Sequence, residues 1–226
     1  MTPGPPVLTL PEELLLLSFD PVSGRRLCGG QALEYGVAGA VLAELELAGR
    51  VTEERGRVTV TNPVPPGDPL LAMALAALPP AGKGARGRGP RTVSWVRTAS
   101  RHLEEPWLAR LVKNGALRRE KHRFLGVVPY YRHPVGPVDR TTETRQRFEE
   151  ARRAGFAGPR SRVLAALASA TGTARALYPG WDGRHDRSAM RRLRREEWTA
   201  WAVHRNVMRD RSDSSSGSGG GDGGGG

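Results

Sequence analysis

The groups able to do acid–base, nucleophilic or metal chemistry in this 226-residue chain are five histidines, 23 carboxylates and one cysteine. Their spacing assembles no reaction centre. His102, His122, His133, His185 and His204 fall in no H-E-x-x-H or other close ligand pattern, and they read as surface or capping groups. Cys28 has no second cysteine for a disulfide, a redox pair or a zinc knuckle, and reads as a small buried side chain. The G-x-S-x-G pattern is missing. Gly82, Gly84 and Gly87 have G-x-G-x-x-G spacing, but prolines precede them and Pro90 follows, so no helix opens there to hold a dinucleotide. Gly82-Lys83 is followed by glycine where a Walker loop needs Ser or Thr. Trp181-Asp182 beside His185-Asp186 is the densest polar-aromatic cluster, best read as a loop tying down the last helices. The expectation is a protein that is not an enzyme and carries no cofactor and no metal.

Charge is the stronger signal. The formal net charge is +12 with pI about 11.1, and of 35 basic residues only Lys83, Lys113 and Lys121 are lysines. A field of this sign favours nucleic acid, acidic proteins or the headgroups of an anionic bilayer, although arginine bias in a GC-rich genome also yields solvated surface charge. The longest leucine run, Leu14 to Leu17, is far short of the roughly 20 apolar residues of a spanning helix. The opening residues MTPGPP lack the basic and apolar segments of a secretory signal, so a cytoplasmic protein is expected.

The elements that must position these charges are mostly helical. Thr9 with Glu12 is a capping box, with Pro11 in the first turn. Gln31 to Ala48 sets Leu33, Val37, Val41 and Leu45 on one stripe and ends at Gly49, and a short hairpin turns around Glu54-Arg55-Gly56. Asp68-Pro69 starts a helix through Leu78. Leu108, Leu111 and Val112 mark a helix stopping at Gly115, followed by a ribbon over Ala116 to Val128. Thr142 to Ala154 is a polar surface helix, Val163 to Ala176 a buried one, and a last helix carries Met190, Leu193, Trp198 and Trp201 on one side. The fold class expected is mainly α: a compact α-helical bundle with two short winged-helix-like β-hairpins. Residues 1–7 are read as a disordered N-terminus, 8–208 as one domain and 209–226 as a disordered Ser/Gly-rich tail, with a mobile basic loop between Pro79 and Pro90.

Winged-helix order and positive charge suggest DNA, yet the helix before the first wing carries Glu34, Glu44 and Glu46, which phosphate would repel. A peripheral membrane role fits the second ribbon better. There Arg118, Arg119, Lys121 and Arg123 flank Phe124-Leu125, so cations for headgroups sit beside apolar side chains for insertion or for contact with another subunit.

Four passages resemble the Golgi phosphoprotein 3 family, in its bacterial, actinobacterial-type form: LTLPEELLLL from Leu8 to Leu17, LAELELAGRV from Leu42 to Val51, GDPLL from Gly67 to Leu71, and LVKNGAL from Leu111 to Leu117 continuing to His133-Pro134. With the alanine-rich stretch near Val163 to Ala170 the likeness extends from about Leu8 to Val207. The resemblance implies a mostly helical domain without catalysis that binds membranes peripherally, recognising phosphatidylinositol 4-phosphate in eukaryotes through a tryptophan and several arginines. It places one pocket arginine on Arg101, a second on Glu104, a third on Ala38 and the tryptophan on Gly29. Arg25, Arg26 and Arg97 are the arginines near enough in sequence to substitute. The family's hairpin for self-association and membrane contact falls on about Glu120 to Val128.

The expected lipid-binding residues are therefore Arg25, Arg26, Arg97 and Arg101, with Arg118, Arg119, Arg123, Phe124 and Leu125 on a membrane or self-association hairpin. The expected partner is an anionic phospholipid surface at the inner face of the membrane, with homo-oligomers possible through residues 120–128. A nucleic-acid-binding winged-helix protein and a protein-recruiting adaptor are the alternatives.

Overall fold

Helix α1 (Leu10–Ser18) is the most deeply placed element, with every residue buried, including Glu12 and Glu13. The capping box is formed: the Glu12 carboxylate accepts from the Thr9 amide at 2.9 Å and from its hydroxyl at 2.8 Å. Around it the computed structural model describes residues 7–79, 89–124 and 127–216. The described residues form nine helices and two two-stranded antiparallel sheets.

Helix α2 (Gly30–Leu47) carries the anticipated stripe, with Leu33, Val37, Val41 and Leu45 all fully buried. Its middle turns are buried on every side because α1, α4 (Thr92–Lys113), α6 (Pro159–Thr171) and α9 (Trp198–Ser216) all pack on it. Strands β1 (Val51–Glu54) and β2 (Arg57–Val60) pair Val51 with Val60, and the turn residues Arg55 and Gly56 both have positive φ, as the twist of a two-residue hairpin requires. Asp68 caps α3 (Pro69–Ala76) by accepting from the Leu70 and Leu71 amides. Strands β3 (Glu120–Phe124) and β4 (Val128–Arg132) form the second ribbon, with Lys121 opposite Tyr131 and Arg123 opposite Pro129. Helix α5 (Arg140–Arg153), α7 (Thr173–Leu177) and α8 (Arg184–Glu196) complete the bundle.

Several expectations are corrected. The run from Val163 to Ala176 is two helices, because Gly172 turns into the left-handed region at φ 92° and separates α6 from α7. The last helix is also two, broken at the extended Glu197, so Met190 and Leu193 belong to α8 while Trp201 on α9 is 43% exposed. Residues 209–216, assigned to the tail, continue α9. His133 is buried against the Phe19 ring, with centroids 5.1 Å apart, and is neither a surface nor a capping group. Helix α5 is not wholly superficial: Thr141, Thr144 and Phe148 are buried. The basic loop lies outside the described residues except at its ends, as do residues 1–6 and most of the Ser/Gly tract.

Two arginines resolve the problem of carboxylates inside α1. Arg110 from α4 donates from Nε to Glu12 at 2.9 Å, pairs with Asp68 at the start of α3, and lies 4.1 Å from the Trp107 ring centre. Arg160, from the first turn of α6, donates to Glu13 at 2.9 Å, to Glu44 of α2 at 2.9 Å and to the Leu8 carbonyl at 2.6 Å. Burial still pushes the Glu13 carboxyl upward, against the lowering pull of Arg160 and Arg147. Removing one member of such a buried pair leaves the other charge uncompensated. Arg160→Met is expected to lower the unfolding free energy by about 3–5 kcal/mol in urea titration, whereas a loss below about 1 kcal/mol would mean that Glu13 and Glu44 find other partners.

Candidate functional site

Three segments distant in sequence meet beside α4. The loop after α1 is stitched to the chain leaving the second ribbon: the His133 amide donates to the Gly24 carbonyl at 2.9 Å, and the Val135 amide to Pro21 at 3.1 Å. Gly24 has φ 63° and lies against Pro134, where a Cβ would collide, so only glycine serves at this crossing. The same loop reaches α4, where Arg26 Nη2 lies 2.8 Å from Glu104 Oε1. At the start of the ribbon, Arg119 donates to Glu105 at 2.7 Å. Arg101 is on the same side of α4, one turn before those glutamates.

This arrangement brings Arg26 and Arg119 to α4 near Arg101, but it does not leave them free. Arg26 and Arg119 face carboxylates, and Arg97 donates to Asp210 of α9 at 2.8 Å beside the Tyr35 hydroxyl, which donates to the same carboxylate at 2.8 Å. These three are committed within the protein. Arg25, Arg101, Arg118, Lys121 and Arg123 are exposed and make no ion pair among the described residues. The position the resemblance gives to a third pocket arginine, Ala38, is fully buried in α2, so no headgroup can reach it. Gly29 is the exposed residue before α2, with open space where a side chain would stand.

Glu104 explains the loss of Arg26. Its side chain is 8% exposed, and Arg26 stands close enough for attraction but out of line for a hydrogen bond, leaving Oε1 without one. Burial pushes its carboxyl to about 7, with Glu34 and Glu105 adding to the rise and Arg26 opposing it. His133 goes the other way: burial, then Arg119 and Arg26, hold its ring down at about 4, so it is neutral near pH 7. Burial also raises the Cys28 thiol, which disfavours a nucleophilic thiolate.

The second ribbon adds aromatic surface that the sequence reading passed over. Tyr131 is 48% exposed with Arg119 stacked 4.1 Å above its ring, and Tyr130 is at the edge of exposure, stacked with His122 at 5.5 Å. Val127 at the turn is 79% exposed. The Tyr130-Tyr131 doublet was the available signal. Phe124 pairs with Val128 at the end of the ladder, and Leu125 lies outside the described residues.

The sequence model of the Golgi phosphoprotein 3 (GPP34) family matches residues 10–209. The chain belongs to the Golgi phosphoprotein 3 family. No curated protein matches it significantly. The Golgi phosphoprotein 3 family is known for binding phosphoinositide lipids. In this member no described helix is long and apolar enough to cross a membrane, and no group of three His, Cys, Asp or Glu among the described residues is placed to hold a metal ion. This member also has an arginine-lined recess of about 540 Å³, whose lining includes Arg91, Arg205, Arg209 and the exposed Trp201 beside the committed Arg97.

The folded state holds the Glu104 proton more tightly than the unfolded chain does, so its contribution to stability declines as pH rises from about 4.5 to about 7 and is flat above. His133, whose folded form resists protonation, contributes a decline as pH falls from 6.5 toward about 4. Glu104→Gln isolates the first effect. The variant is expected to exceed the parent in unfolding free energy by about 1–3 kcal/mol above neutrality, the gap closing toward acid pH in a series of urea titrations.

Proposed function

We propose that this protein docks reversibly on membranes that expose anionic phospholipid, on the cytoplasmic side, and that it performs no catalysis. The observation that supports this is the second ribbon, where exposed Lys121 and Arg123 share a strand face with the exposed Tyr131, and Arg25, Arg101 and Arg118 add exposed cations that make no ion pair among the described residues. Cations of this kind contribute about 1 kcal/mol each near an anionic leaflet, so several acting together support attachment that salt reverses. Tyrosine is suited to the headgroup layer because its ring is apolar and its hydroxyl wet. Guanidinium groups add forked hydrogen bonds to phosphate, which an ammonium cannot match. The headgroup in this reading is phosphatidylinositol 4-phosphate or a bacterial anionic lipid, and the ribbon with Val127 at its turn is also where a second copy would meet the first.

Internal pairing sets the affinity. Glu104 holds Arg26 away from a headgroup, and Arg101 is the one pocket arginine of the family pattern that remains both present and free. Co-sedimentation with phosphatidylcholine vesicles containing phosphatidylinositol 4-phosphate, across a salt series, tests the reading. Arg101→Glu and the pair Lys121→Glu with Arg123→Glu are each expected to weaken binding about tenfold or more, since a reversal removes one attraction and adds one repulsion of about 1 kcal/mol each. Glu104→Gln is expected to strengthen binding by freeing Arg26. Sedimentation unchanged in the Arg101 and ribbon variants would overturn the proposal, and a tight gel shift with mixed-sequence DNA in the absence of vesicle binding would replace it with the nucleic-acid reading.

A further inference from the structure

A second cationic feature lies where α6, α7, α8 and α9 meet. It is a cavity of about 120 Å³ whose polar lining includes Arg175 of α7, Arg187, Arg191 and Arg194 of α8, and His204 and Arg211 of α9. Among the described residues no carboxylate lines it. Arg187, Arg191 and Arg194 follow the spacing of one helix face, which aims three guanidinium groups at the same volume. The break at Gly172 turns the chain so that Arg175 closes the opposite side.

The arginines of this lining differ from those beside them in having no carboxylate among the lining residues. On neighbouring surfaces, arginines are matched: Arg152 with Glu149 and Asp186, Arg162 with Glu196 and Glu197. Around the cavity Arg175, Arg191, Arg194 and Arg211 make no ion pair among the described residues, and Arg187 donates to the Tyr178 carbonyl. Arg194 Nε is buried and has no hydrogen-bond partner. Guanidinium groups cannot shed their protons, so the electrostatic cost of gathering them falls on the one group that can. His204 is that group, held down at about 4 by burial, Arg194 and Arg211. A buried donor without an acceptor, inside a cluster of like charges, calls for an anion.

We propose that this cavity is a binding site for a phosphoryl group. One tetrahedral oxyanion fits the volume, accepts from Arg194 Nε, and takes forked hydrogen bonds from Arg191 and Arg211 at the open rim. The volume is too small to enclose a nucleotide, so any remainder of an esterified ligand extends into solvent. Two sources present this group: free phosphate or a small phosphomonoester, and the headgroup of a phosphorylated lipid. The site is separate from the Arg101 surface and does not rest on the membrane reading.

Titration calorimetry of the full chain with inorganic phosphate, at ionic strength matched by chloride, is the test, with thermal unfolding as a second readout. The expected result is saturable binding with a raised unfolding temperature. Arg191→Gln and Arg211→Gln, both exposed and safe for folding, are each expected to weaken binding about tenfold to a hundredfold. Without phosphate these variants unfold at the same temperature as the parent or higher, because each removes a like charge. In the parent protein the His204 ring resonance moves to a higher titration midpoint when phosphate is bound and is unmoved by chloride at the same ionic strength. If the variants lose phosphate but keep vesicle binding, the natural ligand is soluble. If they lose both while Arg101→Glu keeps phosphate, it is a lipid headgroup. No heat and no thermal shift with phosphate, or shifts equal in parent and variants, would overturn the site.

Discussion

Placing two adjacent carboxylates in the first turns of a wholly buried helix is the constraint from which the rest of this structure follows. Leucines at positions 14 to 17 drive α1 into the core, and Glu12 and Glu13 go with it. Desolvating them requires counter-charge, which arrives from Arg110 on α4 and Arg160 on α6. A buried ion pair adds little net stability over a well-packed apolar pair, but it restricts which helices can stand beside α1 and at what height. With α4 so fixed, Arg97, Arg101, Glu104 and Glu105 emerge in set directions, and the loop after α1 and the root of the second ribbon attach around them.

The same rule of matching charge governs the surface and decides which arginines have work left to do. A net charge of +12 spread over a helical protein invites the view that every guanidinium is available to a partner. The distances say otherwise, since Arg26, Arg97 and Arg119 each meet a carboxylate within 2.8 Å. Among the cations that remain, two groups differ in character. On the ribbon, unpaired Lys121 and Arg123 stand beside exposed tyrosine, the mixture on which the membrane proposal rests. Between α8 and α9 the arginines converge inward around a small volume, suited to a single compact anion.

Local signals in the sequence carried local structure well. The capping box at Thr9, the four-residue stripe of α2, the Arg55-Gly56 turn and the Asp68-Pro69 start all depend on neighbours within a few residues, and each appears where its spacing places it. The breaks at Gly172 and Glu197 were not legible, because apolar periodicity runs through both and only packing of α6, α7, α8 and α9 shows where the helix must turn. Site residues were legible as types but not as states. Arg25 and Arg101 are exposed without an ion pair among the described residues, whereas the commitment of Arg26 to Glu104 and of Arg97 to Asp210 joins segments far apart in the chain, and no spacing rule reaches that distance. Burial of His133 has the same origin, a loop crossing that exists only once the ribbon folds back.

Helix α9 runs past the edge of the family match, and the first residue beyond that edge, Asp210, is the one that receives both Arg97 and Tyr35. The stretch recognisable by homology therefore stops one residue short of a carboxylate with consequences at two sites. A fragment trimmed to the homologous span would return Arg97 to the solvent, enlarge the cationic recess around Trp201, and give an anion-binding profile belonging to the truncation instead of the protein.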